Sequence, residues 1–152
     1  MHWLNRLADS LPLQTLIERL LTTADPDWAD LSPAQMSAFG SVEYARIYEQ
    51  ATGYSARLFV LAAEEARLTY PFFIRPLRGL PFTAAAKAEW GDLLSPEYTG
   101  PVVQQPGIAP EEFRARFRAC CLREKWIAEF AHLHPWQSCA ACLDPCSTDN
   151  SA

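Results

Sequence analysis

Three groups of side chains in this sequence could do chemistry, and the first lies towards its C-terminal end. Glu129, His132 and His134 fall within six residues of each other. Histidine is the side chain most easily tuned to a pKa near neutrality, so these residues could form an acid/base pair or a substrate clamp. The alternative is that both histidines are partly buried polar residues on the face of a sheet.

The second group is Arg75 and Tyr98. Arg75 ends the apolar run 70–77, where a guanidinium can pair with a carboxylate or a phosphate. Tyr98 lies in the loop 95–101, which is bounded by proline and glycine and would hold the hydroxyl rigidly. Together they suggest a substrate-binding surface built on a sheet, and the alternative is a structural salt bridge and a packed tyrosine.

The third group is a cluster of cysteines. Cys139, Cys142 and Cys146 are spaced so that their thiolates could share one tetrahedral ion such as zinc, with His132 or His134 as the fourth ligand. The alternative is ordinary free thiols, because the segment lacks turn glycines and has no second CxxC motif.

A run of basic residues could also contact phosphates. The run consists of Arg114, Arg116, Arg118, Arg123 and Lys125, in and just after one predicted helix, but a helix spreads residues two apart around its circumference. We therefore expect a solvated basic face.

Composition limits the classes of function. The 152 residues are 49% hydrophobic, which suits one domain with a core, and the net charge of −5 argues against general nucleic-acid binding. No run is long enough to span a bilayer and the N-terminus lacks a signal-peptide core, so we expect a cytoplasmic protein with reduced thiols. None of the glycines are two apart, as a Rossmann motif requires, and no P-loop motif is present either.

The elements that must position these groups follow from periodicity. Leucines and isoleucine at helical spacing predict a helix over residues 13–21, and Ser41 and Gly53 bound a second helix over 41–52. Residues 58–62 and 68–74 predict a β-hairpin, whose Pro71 favours an edge or a bulge because it cannot donate a hydrogen bond.

The second half of the chain is predicted less evenly. Residues 78–107 have no sustained period and predict a long ordered loop, and a helix follows over 110–123. Residues 126–136 predict a strand with Glu129 on one face and both histidines on the other. The last residues, 147–152, are typical of a frayed end.

The order of these motifs resembles a known family. The residues that carry the resemblance are YARIY (44–48), GY (53–54), YPFFIRPL (70–77), SPEYTGP (95–101) and EFAHLHPW (129–136). Together they resemble the N-terminal half of Fem-type acyltransferases of the GNAT superfamily, which are similar to the enzymes that build peptidoglycan cross-bridges. The loop 95–101 keeps Tyr98, Gly100 and Pro101 of the family pattern but lacks one aromatic residue and the extra glycines. The family often has an arginine where His132 stands.

The resemblance implies an α/β (α+β) fold, a GNAT-like mixed and largely antiparallel sheet flanked by helices and incomplete at its C-terminal side. The corresponding organisation is an N-terminal helical segment over 1–38, a partial acyltransferase domain over 39–136 and a frayed, cysteine-containing tail over 137–152. Family members are longer, and the portion that binds the acyl donor lies beyond the matched region, so a truncated member is expected.

The activity implied is transfer of an acyl group to an amine. His132, His134 or Glu129 would relay the amine proton, and Arg75, Tyr98 and Gly100 would bind the acceptor, a small-molecule or cell-wall-precursor amine. No cofactor is expected in this chain, although the full-length family uses acyl-CoA or aminoacyl-tRNA as donor. The alternative is a non-catalytic binding domain that retains half of the fold and associates through an open sheet edge.

Overall fold

Helices cover both faces of a six-stranded mixed sheet. The computed structural model describes residues 15–32, 38–95, 100–133 and 139–143. The strands are β1 (Ile17–Leu21), β2 (Ser55–Ala62), β3 (Arg67–Pro76), β4 (Gly91–Ser95), β5 (Val102–Gln105) and β6 (Trp126–Ala131). The helices are α1 (Trp28–Leu31), α2 (Val42–Thr52) and α3 (Pro110–Glu124), with 3-10 turns at Ala38–Gly40 and Ala140–Cys142.

The sheet is mostly antiparallel. Its order is β1-β2-β3-β4-β6, and β5 pairs with β3 beside β4. Among these strands only β4 and β6 pair in parallel, and the chain between them contains α3, the kind of crossover that a parallel pair requires. The predicted α+β class, a mixed and largely antiparallel sheet flanked by helices, is confirmed. No helix within the described part of the chain is long and apolar enough to cross a membrane.

Side chains alternate between two hydrophobic faces of the sheet. One face, which we call the α3 face, packs against α3 and includes the strand residues Phe59, Leu61, Leu68, Tyr70, Phe72 and Leu93. The other, the α2 face, packs against α1 and α2 and includes Ala56, Leu58, Val60 and Phe73. Both faces are apolar because helices cover them, which explains why β2 and β3 are nearly continuous apolar runs.

The second helix, the third helix and the hairpin are confirmed. The Ser41 hydroxyl accepts a hydrogen bond from the Tyr44 backbone N–H at 3.1 Å, and Gly53 closes α2 with a left-handed φ of 74°. α3 begins at Pro110 and buries Phe113 and Phe117, as predicted. β2 and β3 pair in antiparallel register over their whole length.

The helix predicted over residues 13–21 is wrong where the structure describes it, because residues 17–21 form β1. This strand pairs with β2, with Leu21 opposite Leu58. Only Leu21 of the strand is fully buried, whereas Ile17 is largely exposed, as expected for a strand at the edge of the sheet. Spaced leucines fit both periods in so short a run, and pairing with a strand some 40 residues later, which local sequence does not reveal, decides between them.

The long loop predicted over residues 78–107 is also wrong, since it contains β4 and β5. β4 has five residues and begins with Gly91 and Asp92, so it lacks the β-branched composition that marks a strand. Gly91 is required by packing: a Cβ there would lie 2.8 Å from Cγ2 of Ile74. Within the described residues, the longest irregular part of this region is the turn-rich segment between β3 and β4.

Two strand predictions need adjustment. The sequence predicts an edge or a bulge at Pro71, and the edge is wrong because β3 is an interior strand. On the side of β3 away from β2, the partner is β5 at residues 67–69 and β4 at residues 73–76, and Pro71 lies in the interval between these two partners. The predicted strand over 126–136 ends at Ala131, since His132 and Leu133 are outside β6 and residues 134–136 lie outside the described residues.

Candidate active site

Glu129 meets a buried tyrosine across the sheet. The Tyr70 hydroxyl, on β3, donates a hydrogen bond of 2.6 Å to Oε1 of Glu129 on β6. Tyr70 is 0% exposed, and Glu129 is partly buried on the same α3 face. β4 lies between the two strands, so the long phenol ring spans it to reach the carboxylate. The Glu129 carboxylate is therefore held by a hydrogen bond from the buried Tyr70 hydroxyl.

The environment fixes the direction of this hydrogen bond. Burial raises the pKa of Tyr70 well above its usual range, and the charge and hydrogen bond of Glu129 raise it further. A hydrogen bond involving the side chain of Ser95, at the end of β4, lowers the pKa of Tyr70 and only partly opposes these effects. Tyr70 therefore stays protonated at neutral pH and acts as the donor, while Glu129 is the acceptor.

The Glu129 side chain lines a pocket between β6 and α3, which we call the Glu129 pocket. Its volume is about 150 Å³, comparable to a cavity that accepts one benzene molecule. The polar and sulfur-bearing residues in its wall are Arg114, Arg118, Cys121, Glu129 and Cys142, beside Trp126. Two guanidinium groups and one carboxylate can recognise a small ligand that carries both an anionic group and an amine.

The surroundings of Cys121 disfavour the thiolate form of its side chain. Burial, together with the negative charge of Glu129, raises the pKa of Cys121 to about 12. Burial likewise raises the pKa of its neighbour Cys120 to about 11. A thiol attacks as the thiolate, so a raised pKa reduces the fraction of each of these two groups that is reactive at neutral pH.

Arg75 lies on the opposite face of the sheet from Glu129. Its guanidinium donates to Asp92 on β4, through Nε to Oδ1 at 3.0 Å and through Nη2 to Oδ2. It also lies over the Phe130 ring, 5.8 Å from its centroid. Asp92 is almost completely buried, so Arg75 neutralises a carboxylate that has little access to water. The structure thus does not bring Arg75 and Glu129 together in one pocket.

The remaining predicted residues are placed as follows. His132 is exposed just after β6, and its backbone N–H donates to the Ser95 carbonyl at 3.0 Å, continuing the alignment with β4. Gly100 is buried between β4 and β5. Tyr98, His134 and Cys146 lie outside the described residues, so their part in the predicted site stays a prediction.

The segment expected to be a weakly patterned tail is partly packed. Residues 139–143, which we call the cysteine turn, contact α3, and both Cys142 and Leu143 are buried. The Sγ atoms of Cys139 and Cys142 are 2.6 Å apart. Within the described part of the chain no group of three or more His, Cys, Asp or Glu side chains could hold a metal ion. The zinc alternative requires Cys146 and is not decided by these residues.

Sequence reasoning did not assign Tyr70 to the site, and it placed Arg114 and Arg118 on a solvated basic face. A tyrosine at an inward position of an apolar strand signals a buried hydroxyl that needs a partner, although its partner is 59 residues away. Arg114, Arg118 and Cys121 share one side of α3, because residues four and seven positions apart recur on the same face of a helix. That spacing, rather than the alternation of arginines, was the informative pattern.

Comparison with known proteins identifies no relative: the chain matches no family model, no curated protein and no solved structure. The chemistry of the pocket is therefore argued from its own side chains. A carboxylate held by a protonated tyrosine can take a proton from an amine, and the arginines of α3 can hold an anionic group of the same ligand.

Proposed function

We propose that this chain carries the acceptor side of an N-acyltransferase of the Fem-like GNAT type. The observation that carries the proposal is the Glu129 carboxylate, held by Tyr70 in the wall of a pocket that also contains Arg114 and Arg118. Glu129 is one of the residues to which the family resemblance assigns proton transfer. The mixed sheet flanked by helices is of the kind that the resemblance implies.

In this proposal the acceptor is an amine that also carries a carboxylate, as in an amino acid. The carboxylate binds to Arg114 and Arg118, and the ammonium group lies against Glu129. Glu129 takes one proton, and the neutral amine attacks the carbonyl carbon of an activated acyl donor. The new C–N bond forms as the bond to the donor's leaving group breaks, the second proton of the amine goes to the leaving group, and an amide is released.

Tyr70 acts as a positioning residue. Its hydroxyl fixes one oxygen of Glu129 at 2.6 Å, so that the carboxylate keeps one orientation while the acceptor binds. The donor would be an acyl-CoA or an aminoacyl-tRNA, which places the reaction in the cytoplasm. A pocket of about 150 Å³ holds the acceptor group and no more.

The test is an NMR titration of the chain with L-alanine and with ethylamine, followed by a mass-spectrometric transfer assay with acetyl-CoA. We expect L-alanine to bind more tightly than ethylamine, and Glu129→Gln to weaken L-alanine binding by roughly tenfold or more, the range for a hydrogen bond to a charged group. Glu124→Gln is the matched control, because Glu124 is exposed at the end of α3 and is not part of the pocket wall. L-alanine binding that is equally strong in both variants would refute the assignment of Glu129.

A second candidate function has an observation of its own. The outer edge of β6 has no strand partner within the described residues, and Ile127 and Phe130 on that strand are 58% and 56% exposed. An unpaired strand with apolar side chains is a template for another strand. A binding domain that associates through β6 would therefore retain the fold without catalysing transfer. Sedimentation of the wild type and of Ile127→Lys distinguishes the two, since only the association predicts an assembly that the lysine disrupts.

A further inference from the structure

The cysteine turn brings two thiols into direct contact. Cys139 and Cys142 lie at the two ends of a single 3-10 turn, with their Sγ atoms 2.6 Å apart, and both are free cysteines. A disulfide requires side chains that point at each other, and the short distance between the two Sγ atoms indicates that these side chains do.

The two thiols differ in access to solution. Cys142 is 1% exposed and lines the Glu129 pocket, whereas Cys139 is only partly buried. Burial, together with its contact to Cys139, raises the pKa of Cys142 above the usual range for a thiol. A soluble oxidant therefore reaches Cys139 first, and Cys142 can react only with the sulfur of Cys139 after that sulfur has been oxidised.

The turn is tied to two other parts of the molecule. The backbone N–H of Cys139 donates to the Pro101 carbonyl, in the loop that the sequence assigns to the acceptor. Arg114 of α3 donates to the Ala141 carbonyl at 3.3 Å and also lines the Glu129 pocket. A covalent bond inside the turn would therefore act on the wall of the pocket.

We propose that Cys139 and Cys142 are a redox-active dithiol that closes to an intramolecular disulfide by exchange with a low-molecular-weight disulfide of the glutathione class. The Cys139 thiolate attacks one sulfur of the soluble disulfide, which forms a mixed disulfide and releases one thiol. The Cys142 thiolate then attacks Sγ of Cys139, which forms the internal disulfide and releases the second thiol. The two cysteines lose two electrons and two protons, and the soluble disulfide is reduced to two thiols.

The test equilibrates the folded chain with oxidised glutathione, quenches with acid and alkylates the remaining thiols before mass spectrometry. We expect the five thiols of the reduced chain to fall to three, with a mass lower by two hydrogen atoms before alkylation and a cross-link between Cys139 and Cys142 in peptide maps. Reduction with dithiothreitol should restore all five.

Variants separate the two steps. Cys142→Ser should accumulate a glutathione adduct at Cys139, because the second thiol is missing, and Cys139→Ser should form neither the adduct at this site nor the cross-link. Cys121→Ser is the matched control, since Cys121 lines the same pocket, and it should oxidise like the wild type. A cross-link that joins Cys142 to Cys121 or to Cys146 would overturn the proposal, as would wild-type protein that stays glutathionylated or that holds one zinc ion and resists exchange.

Discussion

Replacing Arg75 should show that this residue holds the fold and does not bind substrate. Arg75→Met removes both hydrogen bonds to Asp92 while keeping most of the aliphatic contact. The side chain of Asp92 is only 3% exposed, so the carboxylate would be left buried and unpaired. Leaving one partner of a buried ion pair in this state costs about 3–5 kcal/mol.

The structure favours the lower end of that range. The Arg75 side chain is 27% exposed, so water can reach the space that it vacates. We expect a loss of about 3 kcal/mol in the free energy of unfolding, which for a domain of this size lowers the Tm by roughly 6–12 °C. Replacing both partners, with Arg75→Met and Asp92→Leu together, should cost less than Arg75→Met alone, because no charge remains buried.

The assay is urea unfolding followed by circular dichroism for the two single variants and the double variant, which form a double-mutant cycle. Arg116→Met is the matched control, because its partner Glu112 is four residues away on the exposed surface of α3, and it should give no resolvable change. The reasoning fails if Arg75→Met unfolds at the wild-type urea concentration yet loses acceptor binding, since Arg75 would then serve the ligand and not Asp92.

Three further predictions concern the packing around the Glu129 pocket. The folded-state pKa of Tyr70 is raised, so its stabilising proton is fully bound below the unfolded pKa of about 10 and is lost as the pH rises through the folded pKa. Above pH ~10 the free energy of unfolding of the wild type, measured with urea, should therefore fall by up to about 1.4 kcal/mol per pH unit more than that of Tyr70→Phe. Equal slopes for the two proteins would contradict the buried hydrogen bond to Glu129. Gly91→Ala should lower the free energy of unfolding by about 1–3 kcal/mol in the same assay, because the added Cβ would collide with the stiff β-branched side chain of Ile74. Unchanged stability would show that β4 can shift. Phe117→Ala should cost about 3–5 kcal/mol in thermal unfolding, because its ring packs against other rings at centroid distances of 5.2 to 5.5 Å, and a cost below 1 kcal/mol would mean that the α3 face collapses to fill the space.

The elements that the sequence predicts well are those with their own boundary signals. α2 has a serine cap and a closing glycine, and α3 has a proline in its first turn, so each is defined within a dozen or so residues. The hairpin is predicted because β2 and β3 are adjacent in the chain and rich in residues that suit a covered strand. In each case the information that decides the structure is local.

β1 and β4 are missed because distant partners decide them. β1 acquires strand structure from β2, and β4 fits between β3 and β6. The same limitation applies to the candidate site. Tyr70 and Glu129 are 59 residues apart, and the Arg75 carboxylate partner, Asp92, is hidden in a segment without a sustained period. Residue types predicted which side chains could do chemistry, but only the order of the strands determines which of them meet.

That order also constrains how a transfer reaction could use this chain. Arg75 and Glu129 lie on opposite faces of the sheet, so a substrate that fits the Glu129 pocket cannot be held by both. Ligand pockets are usually about 300–1,000 Å³, and one of about 150 Å³ encloses only part of a substrate. Glu129 lies on β6, whose outer edge is unpaired within the described residues, and in the proposed reaction an acyl donor would approach an amine at Glu129 from that edge. In the proposed reaction the donor is presented from outside β6, and a Phe130→Lys change at that edge should reduce transfer while leaving L-alanine binding intact, because Phe130 is exposed and does not line the pocket.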